Sequence, residues 1–390
     1  MQLITNGTVH TGNKTIRDGA VMINEGKIEA LGPMGSFPLP AEIERIDAAG
    51  GHIAPGFIDM HTHGALGYDL HTAAIEDVER IAQFEAATGV TAYVPTTITS
   101  SFDDIMRALT LARQVMEMSD WRGAEILGVH IEGPYVNREM RGAHPSHLIR
   151  DPKPEEYDLL LEHSDIIRNM TLAPELPGAI ELVKALVARD ILPSAGHTLA
   201  IEPELNRAIE EGLRHVTHIF GNMSSLRREN LTRVAGTVET TLYDDRLSTE
   251  VIGDGHHISS GLMKLVYQTK GPTQLALITD ASPLTGLPSA SYQVWGGEVV
   301  VDGEICFLPD RSAFAGSLAT MDRCLRNLIR MADVPLDEAL RTASATPAAI
   351  MGISDRKGTL ARGMDADIVI LDDALQVTHT FISGTLAFSR

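Results

Sequence analysis

GFIDMHTH, residues 56–63, is apolar for the length of one strand and closes on two histidines two residues apart. Seven further runs of the same kind follow: GVTAYVPTT (89–97), EILGVHIEGP (125–134), NMTLAPE (169–175), DILPSAGHT (190–198), HVTHIF (215–220), LSTEVIGDGHH (247–257) and QLALITDA (274–281). Short apolar runs of this sort read as strands buried on both faces. Between them lie stretches with apolar residues at helical spacing, among them IEDVERIAQFEAAT (75–88), SFDDIMRALTLARQVMEM (101–118), AIELVKALVARD (179–190) and PELNRAIEEGL (203–213). Eight buried strands alternating with helices predict an α/β fold, a (β/α)8 TIM-like barrel over residues 55–350. A doubly wound open sheet is the alternative; against it, no G-x-G-x-x-G follows the first strand.

The two chain ends have a different texture. Residues 1–54 read as short alternating strands with turns, passing through a Pro-rich link, PMGSFPLP (33–40). Residues 351–390 repeat the pattern in GTLARG, ADIVILDD and VTHTFISGTLAF. Neither end has enough strands to stand alone, so together they predict one small β-sandwich domain bracketing the barrel. SYQVWGGEVVVDGEICFL (291–308) alternates and carries Gly-Gly and Asp-Gly turn signals, which predicts a β-hairpin inserted after strand eight.

Composition narrows the function. The 390 residues include 32 Lys and Arg against 52 Asp and Glu, a net charge of −20. Such a surface repels phosphate backbones, and no basic patch offsets it, so nucleic acid is excluded as a partner. No basic n-region precedes an apolar run at the N-terminus, and no run of 18 apolar residues occurs, so neither a signal peptide nor a membrane span is expected. Cys306 and Cys324 are too few for a disulfide framework or a Cys-based metal site. The expectation is a cytoplasmic protein.

The chemistry collects at the strand ends. His61 and His63 close the first run, Glu132 the third, His197 the fifth, His218 the sixth and Asp280 the eighth. In a parallel barrel these ends meet on one face, where barrel active sites are built. A spacing of two on a strand puts His61 and His63 on the same side. A single histidine at a strand end is ordinarily a structural hydrogen-bonding residue. Six metal-compatible residues at the ends of five strands make a site for a divalent transition metal: zinc is expected, and iron, cobalt or manganese are compatible. A hydrolytic metal site also needs a carboxylate to take a proton from water and return it to the leaving nitrogen, and Asp280 in LITDAS is placed for that. Its alternative role, capping a helix, fits poorly with the Pro-Leu-Thr-Gly that follows.

In this order PGFIDMHTHG, HIEGPYVN, GAHP, SAGHT, VTHIF, GDGHHI and LITDA resemble the N-acetylglucosamine-6-phosphate deacetylases, a family of the amidohydrolase superfamily. ATPAAIMGI and KGTLARGMDADIVILD resemble the superfamily's return into its small β domain, so the likeness spans essentially the whole chain. It implies that Glu132, His197 and His218 are metal ligands and that Asp280 is the catalytic aspartate. His61 and His63 match a pair that only some members keep, which implies one ion or two. His144 matches the histidine that polarises the acetyl carbonyl, and His257 one that contacts substrate; His256 has no family role and reads as structural. The resemblance also implies a homodimer and a substrate that is an amino sugar, anionic at carbon six.

The chain departs from the family in one place. Where the family usually reads Asn-Ala-Met, this chain has Gly221, Asn222 and Met223. Arg227 and Arg228 lie near the family's phosphate arginine but out of register by one or more, with Glu229 a candidate for the aligned position, so a 6-sulfated, galacto or neutral sugar stays open. A ring-opening cyclic amidohydrolase shares the HTH motif but bridges its metals with a lysine on strand four, and NMTLAPE has none. The remaining alternative is a non-catalytic sugar-binding protein on the same scaffold.

Overall fold

The computed structural model describes residues 1–36 and 43–390; residues 37–40 of the Pro-rich link lie outside the described residues. Eight parallel strands run in chain order round a barrel: β1 (Phe57–Thr62), β2 (Val90–Thr97), β3 (Val129–Glu132), β4 (Ile167–Leu172), β5 (Leu192–Ala195), β6 (His215–Val216), β7 (Ser248–Ile252) and β8 (Leu275–Ile278). β8 returns to β1 through main-chain bonds: Asp280 N–H donates to His61 O at 2.9 Å and His63 N–H to Ala281 O at 2.8 Å. The expected barrel is therefore present. Its strands are shorter than the apolar runs, and β6 is cut to two residues because the chain leaves the ladder before His218.

Each strand forms where both faces are buried, and each helix where one face is. The helix Phe102–Met116 shows how local sequence sets its bounds. Ser101 caps it by accepting from Asp104 N–H at 3.2 Å, and Ile105, Ala108, Leu109, Ala112 and Val115 make its buried stripe. β3 begins after a break at Gly128, whose φ of 138° and 2.5 Å approach of a built Cβ to Ile166 O admit only glycine.

The chain ends meet as expected. Ile368–Leu371 pairs antiparallel with His52–Pro55, joining the C-terminal strands to Gln2–His10, Thr15–Asn24 and Lys27–Pro33. The small domain is hydrogen-bonded as one continuous eight-stranded sheet, in which Gln2–His10 pairs with both Glu44–Asp47 and His52–Pro55. One of its apolar clusters gathers Ile4, Val21, Ile53, Ile368 and Phe381. The insertion after β8 is a three-stranded meander, Ala290–Val294, Gly297–Asp302 and Ile305–Phe307, one strand more than the expected hairpin.

A buried ion network ties this sheet to the barrel. Lys357, with a side chain 1% exposed, pairs with Asp367 beside Ile368 and reaches Glu125 before β3 at 2.8 Å. Removing one member of a buried pair strands the other, so Lys357→Ala should cost about 3–5 kcal/mol of unfolding free energy, read by denaturant titration.

Candidate metal centre and active site

The six strand-end residues converge. His61 and His63 flank Thr62 on β1 and both turn inward, and Glu132 is the last residue of β3. His197, His218 and Asp280 each stand two residues past their strands, with φ of 48°, 26° and 48°. Left-handed backbone at a non-glycine residue costs about 1–3 kcal/mol and persists only where the surroundings impose it. Here it turns each side chain over the barrel rim toward the axis.

Glu132 is the hub. Its Oε1 lies 2.9 Å from His218 Nε2, 3.2 Å from His197 Nε2 and 3.6 Å from His61 Nε2. Its Oε2 lies 3.4 Å from His63 Nε2 and 3.3 Å from His144 Nε2. Asp280 Oδ1 is 3.4 Å from His61 Nε2 and 3.2 Å from His63 Nε2. Donor atoms about 2.1 Å from a tetrahedral cation stand about 3.4 Å apart, so most of these are coordination-edge separations. His61 Nε2 is buried and makes no hydrogen bond, as a lone pair reserved for an ion requires. By distance, donor atoms gather in three overlapping groups, His61–Glu132–His218, His61–His63–Asp280 and Glu132–His144–His197, of which the third loses His144 once its protonation is assigned.

Hydrogen bonds at the far ring nitrogens sort these histidines. His197 Nδ1 faces Met140 O at 2.7 Å and must carry the proton, which leaves Nε2 free to ligate. His61 Nδ1 faces Glu250 Oε2 at 2.9 Å with the same result. His144 is the reverse case. Its Nδ1 accepts from Thr99 N–H at 3.3 Å and faces the Thr99 hydroxyl, itself able to donate, at 2.7 Å, so the proton sits on Nε2 and the ring presents a donor. Gly133 makes room for this, since a Cβ there would fall 2.2 Å from Thr99 Oγ1.

Electrostatics agree. Burial alone would depress His61, but Glu250, Glu132 and Asp280 outweigh it and hold the imidazole up at about 10. Burial opposes His63 as well, and bonds to Asp280 and Glu132 raise it to about 9. Asp280, despite burial, is drawn down to about 2 by His61 and His63 and is a carboxylate at neutral pH. Burial, then the neighbouring His197, pushes His144 down to about 4, so it stays neutral. The carboxylates demand positive charge, and a divalent ion satisfies that demand.

The cavity over this cluster is walled by Asn222, Gly221, His257, Trp295 and Phe314. His257 is held by Asp254 at 2.8 Å and leans on Phe314. A Cβ at Gly221 would lie 2.7 Å from His218 Nδ1, so glycine lets the main chain close on that ring. Arg227 and Arg228, expected at an anion, do not line the cavity. They sit on a projecting hairpin (Arg227–Glu229 with Thr232–Val234), Arg227 pairing with Glu229 at 2.8 Å and Arg228 donating to Asn230 O. His256 is also outside, beside Arg323 and Glu304. Three contributors escaped sequence reasoning. Thr99 gave no signal and Trp295, whose ring stacks edgewise on His63, sits on the insertion; Glu250 was visible as a charge inside an apolar strand.

Eight barrel strands around a histidine–carboxylate cluster that could hold a cation are the frame of a hydrolase, and the amidohydrolase family model matches residues 52–387 and the NagA composite domain residues 1–53. The chain belongs to the amidohydrolase family and, within it, to the N-acetylglucosamine-6-phosphate deacetylases. The enzyme of that name from Bacillus subtilis (strain 168) is 34% identical over 99% of this chain and 97% of its own length. The N-acetylgalactosamine-6-phosphate deacetylase of Escherichia coli O157:H7 is 32% identical over 95% of each chain. A solved mutant N-acetyl-D-glucosamine-6-phosphate deacetylase from Mycobacterium smegmatis, in complex with N-acetyl-D-glucosamine-6-phosphate, superposes with a TM-score of 0.91 at 31% identity, covering 100% of this chain and 99% of that one.

The raised imidazoles have a measurable consequence. At pH 7 His61 and His63 hold protons that a cation must displace, so zinc binding should release protons and tighten as pH rises toward about 9 to 10. Calorimetric titration in buffers of different ionisation enthalpy checks this; binding without proton release contradicts the charge assignment.

Proposed function

We propose that this enzyme hydrolyses the acetamide of N-acetylglucosamine 6-phosphate, giving acetate and the amino sugar. The observation that carries the reading is the arrangement of an ionised Asp280, a neutral N–H donor on His144 and the Glu132-centred ligand cluster around one cavity. A divalent cation, zinc in the first instance, held by Glu132, His197 and His218, with His61 and His63 suited to a second, supplies Lewis acidity to the carbonyl and lowers the pKa of water. Asp280 accepts the proton of the attacking water as oxygen bonds to the acetyl carbon. The Nε2–H of His144 donates to the oxyanion that forms, and its depressed pKa keeps it a neutral donor throughout. Asp280 then passes its proton to nitrogen, the C–N bond breaks and acetate leaves. His257 and the main chain at Gly221 and Asn222 face the sugar.

A second copy of the chain completes the site in this reading. The hairpin carrying Arg227 and Arg228 projects with Leu231 84% exposed, and a homodimer would cover it and carry both arginines to the neighbouring cavity. The chain divides into a barrel, residues 55–350, and a small β domain, residues 1–54 with 351–390, supported by the strand pair that joins the ends. Among the described residues no helix is long and apolar enough to cross a membrane. A cytoplasmic setting is supported by Cys306 and Cys324, both free thiols.

Asp280→Asn should lower kcat by about 10²–10⁴-fold with metal content unchanged; acetate release and elemental analysis read the two together, and near-normal turnover removes Asp280 as the acid/base. A panel of N-acetylglucosamine, its 6-phosphate and 6-sulfate, and the galacto analogues should show preference for the 6-phosphate. Equal turnover of the unmodified sugar would exclude an anion subsite.

A further inference from the structure

Glu250 lies inside the barrel on β7, fully buried, and is neither a cation ligand nor part of the cavity wall. A carboxylate in that position is costly unless its oxygens are satisfied. They are, and by the cation site's own residues. Oε2 accepts from His61 Nδ1–H at 2.9 Å and from the main-chain N–H of His218 at 3.0 Å, while Oε1 lies 3.3 Å from His215 Nε2.

The other ligand imidazoles are backed differently. His197 has a neutral carbonyl, Met140 O, and His218 Nδ1 has no hydrogen-bond partner. His61 alone among the three is backed by a charged group, which makes its Nε2 the strongest electron donor of the set. His61 also belongs to the group His61–His63–Asp280, which shares no residue with Glu132–His144–His197. We propose that Glu250 is a positioning residue that holds His61 with Nε2 toward the cation and thereby sets the affinity of the His61–His63 end for a second ion. The same oxygen holds His218 at its left-handed turn, so one carboxylate fixes the relative placement of ligands from β1 and β6. This rests on the metal-dependent reading above.

Glu250→Gln tests it with little change of shape. The amide oxygen can still accept from His61 and His218, and the amide N–H can face His215, so only the charge is lost. Zinc binding is measured by competition with a chromophoric chelator for the wild type, Glu250→Gln, His61→Ala and the double variant, with thermal midpoints confirming that each is folded. The weaker zinc-binding step should lose about 10–100-fold in Glu250→Gln, and the double variant should bind no more weakly than His61→Ala alone. In the cobalt-loaded protein the visible bands from that end should weaken in parallel. An unchanged weaker step, or an equal loss when Glu250→Gln is made in the His61→Ala background, overturns the proposal. Wild-type protein that binds zinc but releases no acetate from the sugar panel overturns the proposed function and leaves this inference standing; protein that binds no zinc overturns both.

Discussion

Everything at the rim depends on how the barrel closes. The seam between β8 and β1 is made where His61 O and His63 N–H meet Asp280 N–H and Ala281 O. The main chain that completes the cylinder is thus the main chain that carries two histidines and the carboxylate. Although Asp280 and His63 lie just past their strands, main-chain hydrogen bonds across the seam fix them in one register. Below the seam, Thr279 Oγ1 donates to the buried Asp59, so the same two strands are tied again one layer down. Precision of this kind is what positioned catalytic groups require, since small displacements cost large factors in rate.

Charge is the second constraint. Glu132, Asp280 and Glu250 are buried close together, where unpaired carboxylates are costly. The fold answers with imidazoles from the ends of β1, β5 and β6 and from the segment after β3, and the rings are not equivalent. Those whose far nitrogen faces an oxygen acceptor offer a lone pair inward; His144, whose far nitrogen faces an N–H, offers a proton. One residue type therefore serves two purposes in one cavity, and the division is made by neighbours at Met140, Glu250 and Thr99.

Much of this was legible beforehand, for physical reasons. Strands buried on both faces leave unbroken apolar runs, and polar residues ending such runs in a parallel barrel must share a face, so the convergence of the six strand-end residues was readable from the sequence. Arg227 and Arg228 stand off this chain's own cavity because nearness along the chain to Gly221 and Asn222 says nothing about a hairpin that projects away. Thr99 meets His144 Nδ1 with both its main-chain N–H and its hydroxyl, a contact across 45 residues that no local pattern encodes. Glu250 was a readable anomaly whose partners, 189 residues away at His61, were not.

The inserted meander has its own small core, in which Val299, Val301 and Cys306 pack with Leu284 and Ala315, while its tip delivers Trp295 to the cavity edge. Drift in that tip can be tolerated without disturbing the cylinder beneath. Divergence among descendants of this scaffold therefore has an inexpensive route to new acyl or sugar preferences, one that leaves the hydrolytic apparatus inherited intact.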